Sequence, residues 1–141
     1  MSTLSTAARN AARNAINALL DVGSGTYPTV RFQTSGDADL LVINLDTTKA
    51  IMDAVAGVST FNPPDGEVSW VDYEQTPSAA GTVAKVVLAD TDGTVVETCS
   101  AGTTGSGEEW ELTSLNLTTE IPVKFSAAPT VTQRETYDPT P

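Results

Sequence analysis

The acid–base chemistry open to this 141-residue chain rests on eighteen carboxylates and one thiol, because there is no histidine. That absence removes Ser-His-Asp and Cys-His catalysis, imidazole metal ligands and histidine proton transfer. A lone cysteine, Cys99, rules out an internal disulfide and the usual structural zinc sets; within a strand it reads as a small buried hydrophobe. No phosphate-binding glycine motif follows a strand pattern. Asp90-Thr91-Asp92-Gly93 has the look of a calcium loop. Aligned on its glycine, however, it needs an acidic residue at Leu88 and a glutamate at Cys99 and has neither, so it reads as an Asp-Gly turn. Glu108, Glu109 and Glu111 surround Trp110, and Asp72, Tyr73 and Glu74 lie near Trp70. A glycosidase needs two carboxylates held about 5 to 9.5 Å apart; runs of charge read first as solvated loops. The expectation is a protein with no catalytic residues, no cofactor and no metal. The sequon Asn116-Leu117-Thr118 reads as fortuitous in a chain expected to fold in a cytoplasm.

The elements that position these residues are short strands. Residues 81–102 read as a β-hairpin turning at Asp90–Gly93, and its first arm, apolar on both faces, is expected at the centre of a sheet. Further strands are expected around Val30 and Phe32, over 39–46, over 67–74, around Leu115-Asn116-Leu117 and within 121–131. Residues 47–58 fit a short helix or an irregular strand, and 61–66 and 101–107 fit loops. Residues 2–22 form the one convincing helix: Leu4, Ala8, Ala12, Ala15, Ile16, Leu19 and Leu20 recur at helical spacing, opposite Arg9, Asn10, Arg13, Asn14, Asn17 and Asp21. Ser2, Ser5 or Thr6 is placed to cap it and Gly23 to end it. Its apolar stripe is expected to dock on the β-body, or else on a partner. Gly23-Ser24-Gly25 reads as a hinge. The fold class expected is mainly β, an antiparallel, jelly-roll-like β-sandwich with one N-terminal α-helix. Its parts are a helix at 1–22, a body at 23–132 and a tail at 133–141.

Charge divides the chain unevenly. Arg9, Arg13 and Arg31 against Asp21 give residues 1–31 a charge of +2. Four cations against seventeen carboxylates give the remainder −13, within a total of −11. So acidic a body repels phosphate backbones, and no nucleic-acid partner is expected. No apolar run approaches the roughly 20 residues of a membrane span, and the first residues lack the pattern of a signal peptide; no membrane partner is expected either.

Three stretches carry a resemblance: AARNAARNAINALLDVGSGTYPTVRF, AAGTVAKVVLADTDGTVVETCSAG and LTSLNLTTEIPVKFSAAPTVT. In order and spacing, over residues 7–132, they resemble small virion-associated structural proteins of tailed bacteriophages. The match is poor over 47–77, and Glu120-Ile121-Pro122 stands where that group has a glycine-containing turn. The resemblance implies a small β-sandwich on the outer surface of an assembled capsid, a decoration or cement protein, and carries over no catalytic residue. The implied partners are the major capsid protein and further copies of the chain, as a homotrimer. Charge and position mark Arg9, Arg13, Arg134, Tyr137 and Pro139 as expected contact residues. The alternative is a tail or fibre module that binds host carbohydrate through exposed Trp70 and Trp110.

Overall fold

The hairpin forms where the Asp-Gly signal places it. In the computed structural model, which describes residues 2–133 and 136–137, β4 (Lys85–Ala89) and β5 (Val95–Cys99) pair antiparallel. Asp90 Oδ1 accepts the N–H groups of Asp92 and Thr94, both at 2.9 Å, and Gly93 takes φ 85°. Both turn carboxylates are engaged, since Asp92 Oδ1 accepts Ser24 N–H at 3.0 Å. β1 (Thr29–Gln33) and β2 (Asp39–Asn44) complete a four-stranded antiparallel sheet in the order β2-β1-β4-β5. β4 is thus an interior strand, as its two-faced apolar sequence requires, and Val86, Val87, Leu88 and Ala89 are all buried.

Two rows line the inner face: Ile43, Val30, Leu88 and Glu97, and then Leu41, Phe32, Val86 and Cys99. A register shift between Phe32 and Gln33 leaves Leu40 as an extra residue opposite β1, which lets the consecutive Leu40 and Leu41 both be buried. Over this face lie shorter segments: β3 (Val58–Thr60) paired antiparallel with β8 (Thr130–Thr132), and β6 (Ala101–Thr103) with β7 (Trp110–Leu112). The β6–β7 pair is parallel, a departure from the all-antiparallel expectation. Two-residue ladders join Glu74–Gln75 to Val123–Lys124 and Gly81–Thr82 to Asn116–Leu117. The molecule is mainly β, with this antiparallel sheet and one N-terminal helix.

Aromatic side chains fill the space between the layers. Trp110, 1% exposed, meets Phe32 at 5.5 Å, Phe61 at 5.0 Å, Trp70 at 6.1 Å and Phe125 at 6.3 Å between ring centroids, all near edge-to-face. Such pairs add about 0.5–1.5 kcal/mol each beyond the area they bury.

Two expectations are corrected and one pair of alternatives is decided. Residues 67–74 do not form a strand: only Glu74 pairs, and the chain turns so that Tyr73 N–H donates to Trp70 O at 3.2 Å. The indole of Trp70 anchors that turn by donating to Asn62 O at 2.8 Å, which leaves Val68 and Val71 exposed. Residues 47–58 contain no helix. They run as irregular strand to a two-residue turn at Ala56-Gly57 (φ 52° and 78°), closed by paired bonds between Val55 and Val58. Lastly, Gly23-Ser24-Gly25 is a fastened segment rather than a hinge. Thr91 N–H and Oγ1 both donate to Val22 O, and a Cβ on Gly25 falls 1.8 Å from Thr91 O, so only glycine permits this approach.

Candidate interaction surface

The helix α1 (Thr6–Ala18) starts where Ser5 accepts Ala8 N–H at 3.1 Å and tightens into a 3-10 turn over Leu19–Asp21. Its two fully buried residues are Arg13 and Asn17. The polar arc, not the apolar one, faces the body. Asn10 Oδ1 accepts Gly57 N–H at 2.7 Å, Asn14 Oδ1 accepts Ala54 N–H at 2.7 Å, and Asp21 Oδ1 accepts Ala50 N–H at 3.2 Å. These three positions, spanning about 16 Å of helical rise, run antiparallel to residues 50–57. That segment has few ladder bonds of its own, so its N–H groups need side-chain acceptors, and the helix supplies them.

Arg13 lies at the middle of this contact. Its Nη1 and Nη2 donate to the Glu97 carboxylate at 2.9 and 2.6 Å, and its Nε donates to Asn17 Oδ1 at 2.9 Å. Asn17 Nδ2 in turn donates to Ser59 Oγ at 2.9 Å. A continuous polar chain therefore ties α1 to β3 and to the inner face of β5. Glu109 belongs to the same neighbourhood. Burial pushes its carboxyl up, the backbone N–H of Ser100 opposes this, Glu97 adds to it, and Arg13 and the backbone of Thr132 oppose it. Cys99 is buried, and its thiol is pushed up by that burial and by Glu109 and Glu97, so it is inert packing.

The opposite arc of α1 faces solvent. Ala7, Ala8, Ala11, Ala15 and Ala18 are exposed, as are Leu19 (52%) and Val22 (55%). Of the apolar stripe expected to dock, only Leu20 enters the core, with Leu4, Ala12 and Ile16 half-buried. The helix is docked on its own body as expected, but by the other face. On the segment beneath it Met52, Val55 and Val58 are exposed too.

The contact residues expected from charge divide accordingly. Arg13, 1% exposed, is committed to Glu97 and is not presented to a neighbouring molecule, a correction. Arg9 is half-buried, with Nη1 donating to Ala56 O and Nη2 to Thr6 Oγ1, both at 3.2 Å. Tyr137 pairs through its backbone with Ser2, and Thr136 with Thr3. Arg134 and Pro139 lie outside the described residues.

Trp70 and Trp110 are buried, so neither offers a face on which a sugar could stack. Among the described residues no group of three His, Cys, Asp or Glu is placed to hold a metal ion, and no helix is long and apolar enough to cross a membrane. A cleft of about 590 Å³ lies between Leu112–Thr118 and Ile121–Lys124; a smaller one, of about 300 Å³, lies between Gly107–Glu111 and Phe125–Thr130. Glu74, Ser114 and Lys124 line the larger, and Glu108, Glu109, Glu111 and Ser126 line the smaller.

The sequence reading missed Asn10, Asn14, Asn17 and Asp21 as docking groups. Their signal was present: three asparagines, poor helix formers, share one helical face with an aspartate at steps of four, three and four. Comparison of the chain with protein-family models, with curated proteins and with solved structures finds no match.

Proposed function

We propose that this chain is a structural protein of a tailed bacteriophage that coats the outside of the assembled capsid as a decoration or cement protein. Its partners in this reading are the major capsid protein and copies of itself in a trimer. One observation carries the reading beyond the sequence resemblance: α1 spends its polar side on its own body and leaves Ala8, Ala11, Ala15, Leu19 and Val22 facing outward. A contiguous apolar helical face on an acidic protein favours a protein partner over a phosphate or sugar ligand. The backbone pairing of residues 2–3 with residues 136–137 sets two segments far apart in sequence side by side, where a neighbouring subunit can meet both. The mechanism is linkage: a protein that binds only the assembled shell adds its binding free energy to the shell's stability.

Co-sedimentation of the purified protein with assembled shells of the parent virus, and with unassembled capsid protein, tests this. Retention on shells alone is the expected result. Leu19→Asp and Val22→Asp together should abolish retention while leaving the circular dichroism spectrum unchanged. Absence of the protein from purified virions, or full shell binding by the folded double variant, overturns the proposal.

A further inference from the structure

The contact beneath α1 has an unusual composition for a helix docked on a β-body. Between Thr6 and Ala18 the fully buried side chains are a guanidinium and an amide, Arg13 and Asn17. The apolar residue that does reach the core, Leu20, sits beyond α1 in the 3-10 turn. What holds α1 down is therefore a set of hydrogen bonds and an ion pair, with half-buried Ala12 and Ile16 at its margin. Bonds of this kind are exchanged for bonds to water when the surfaces part, and so contribute little net free energy each. The ion pair likewise sets desolvation against attraction. When α1 lifts, the N–H groups of Ala54 and Gly57 gain water in place of Asn14 and Asn10, respectively, while Asp21, in the 3-10 turn, keeps Ala50.

The two ends of the helix are fastened unequally. On its C-terminal side Val22 and Ser24 are held by Thr91 and Asp92 of the hairpin turn, and Leu20 is locked in the core. On its N-terminal side the fastening is a two-residue ladder, Ser2–Thr3 with Thr136–Tyr137, and the hydrogen bonds of Arg9 to Ala56 O and of Gly57 N–H to Asn10, with no residue locked in the core. Opening is thus confined to one side of the 3-10 turn.

We infer that α1 is a strap that opens from the body as one unit, pivoting on Leu19–Asp21, while the four-stranded sheet stays folded. This inference does not rest on the capsid reading. It makes the underside, with Glu97, Ser59 and the 54–57 backbone, transiently accessible, and it gives the helix reach beyond its own body.

Amide hydrogen exchange on the full chain, followed residue by residue in low denaturant, tests it. Mid-helix amides from Arg13 to Asn17 should share one opening free energy and one non-zero denaturant slope, smaller than that of Val86–Leu88, and should exchange at least about tenfold faster than those sheet amides. Glu97→Gln, and independently Asn17→Ala, should accelerate the helix set and leave the Val86–Leu88 set the less affected. Exchange of helix and sheet amides at one rate with one slope overturns the inference. So does a graded, slope-free profile, which is fraying rather than release, and so does an equal acceleration of both sets by either variant.

Discussion

Beneath the sheet, Trp110 is enclosed by four aromatic rings; beneath α1, Arg13 is held by Glu97 on the inner face of β5 and by Asn17. Both side chains are 1% exposed, yet burial stabilises them by different means. The indole leaves water at a gain and fits its neighbours in edge-to-face contacts. Its N–H meets no oxygen or nitrogen acceptor among the described residues, and the Cys99 thiol is a polar group beside it. The guanidinium loses its hydration at a cost, which the bidentate carboxylate and the amide only offset. The first region supplies stability without demanding fine alignment. The second supplies alignment, since each N–H donor meets one acceptor at one distance, and it holds the helix in a single rotation with its apolar arc outward.

The largest test of this contrast is Trp110→Ala, which should lower unfolding free energy by about 3–5 kcal/mol, read by denaturant titration of tryptophan-independent circular dichroism. A loss under about 1 kcal/mol means the ring cluster is not the stabilising centre. Arg13→Ala comes next, with an expected loss of about 3 kcal/mol, because Glu97 then stays partly buried without its partner. Here the two regions should part company: Arg13→Met combined with Glu97→Leu should cost less than either single change, an outcome with no counterpart in the aromatic cluster. If the double variant is the least stable of the three, the ion pair is a net source of stability and the contrast fails. Asn14→Ala removes the acceptor for the Ala54 N–H and should cost about 1 kcal/mol, measured as a drop in Tm.

The smallest effect is in pH. Burial raises the Glu109 carboxyl above the ordinary 4.5. A carboxyl that holds its proton more tightly in the folded than in the unfolded chain makes stability fall as pH rises from the unfolded value through the folded one. Glu109→Gln removes that decline. Wild type and variant should melt alike below about pH 4, and the variant should melt higher at pH 7. A variant that is less stable at pH 7 alone assigns Glu109 the opposite role, as a stabilising partner of Arg13.

Much of the sheet was legible in the residues. The Asp90–Gly93 turn, the two-faced apolar run of β4 and the alternation of β1 declare themselves locally, because turn geometry and strand burial depend on residues close in the chain. Residues 67–74 misled because Val68, Trp70 and Asp72 alternate like a strand, while Trp70 is held by a carbonyl eight residues away. Glu97 is a plain polar residue in an edge strand until Arg13, 84 positions earlier, reaches it. The long-range acceptors on the helix were hidden for the same reason.

The residues alone determined that a helix forms near the N-terminus, that the rest is β, that the carboxylates at 90 and 92 make a turn, and that no histidine chemistry exists. Helical periodicity determined the presence of two unlike faces. Only the tertiary structure decided which of them turns inward, because that depends on the surface the helix meets. Residues 50–57 present N–H groups in need of acceptors, and Asn10, Asn14 and Asp21 meet that need where alanine and leucine cannot.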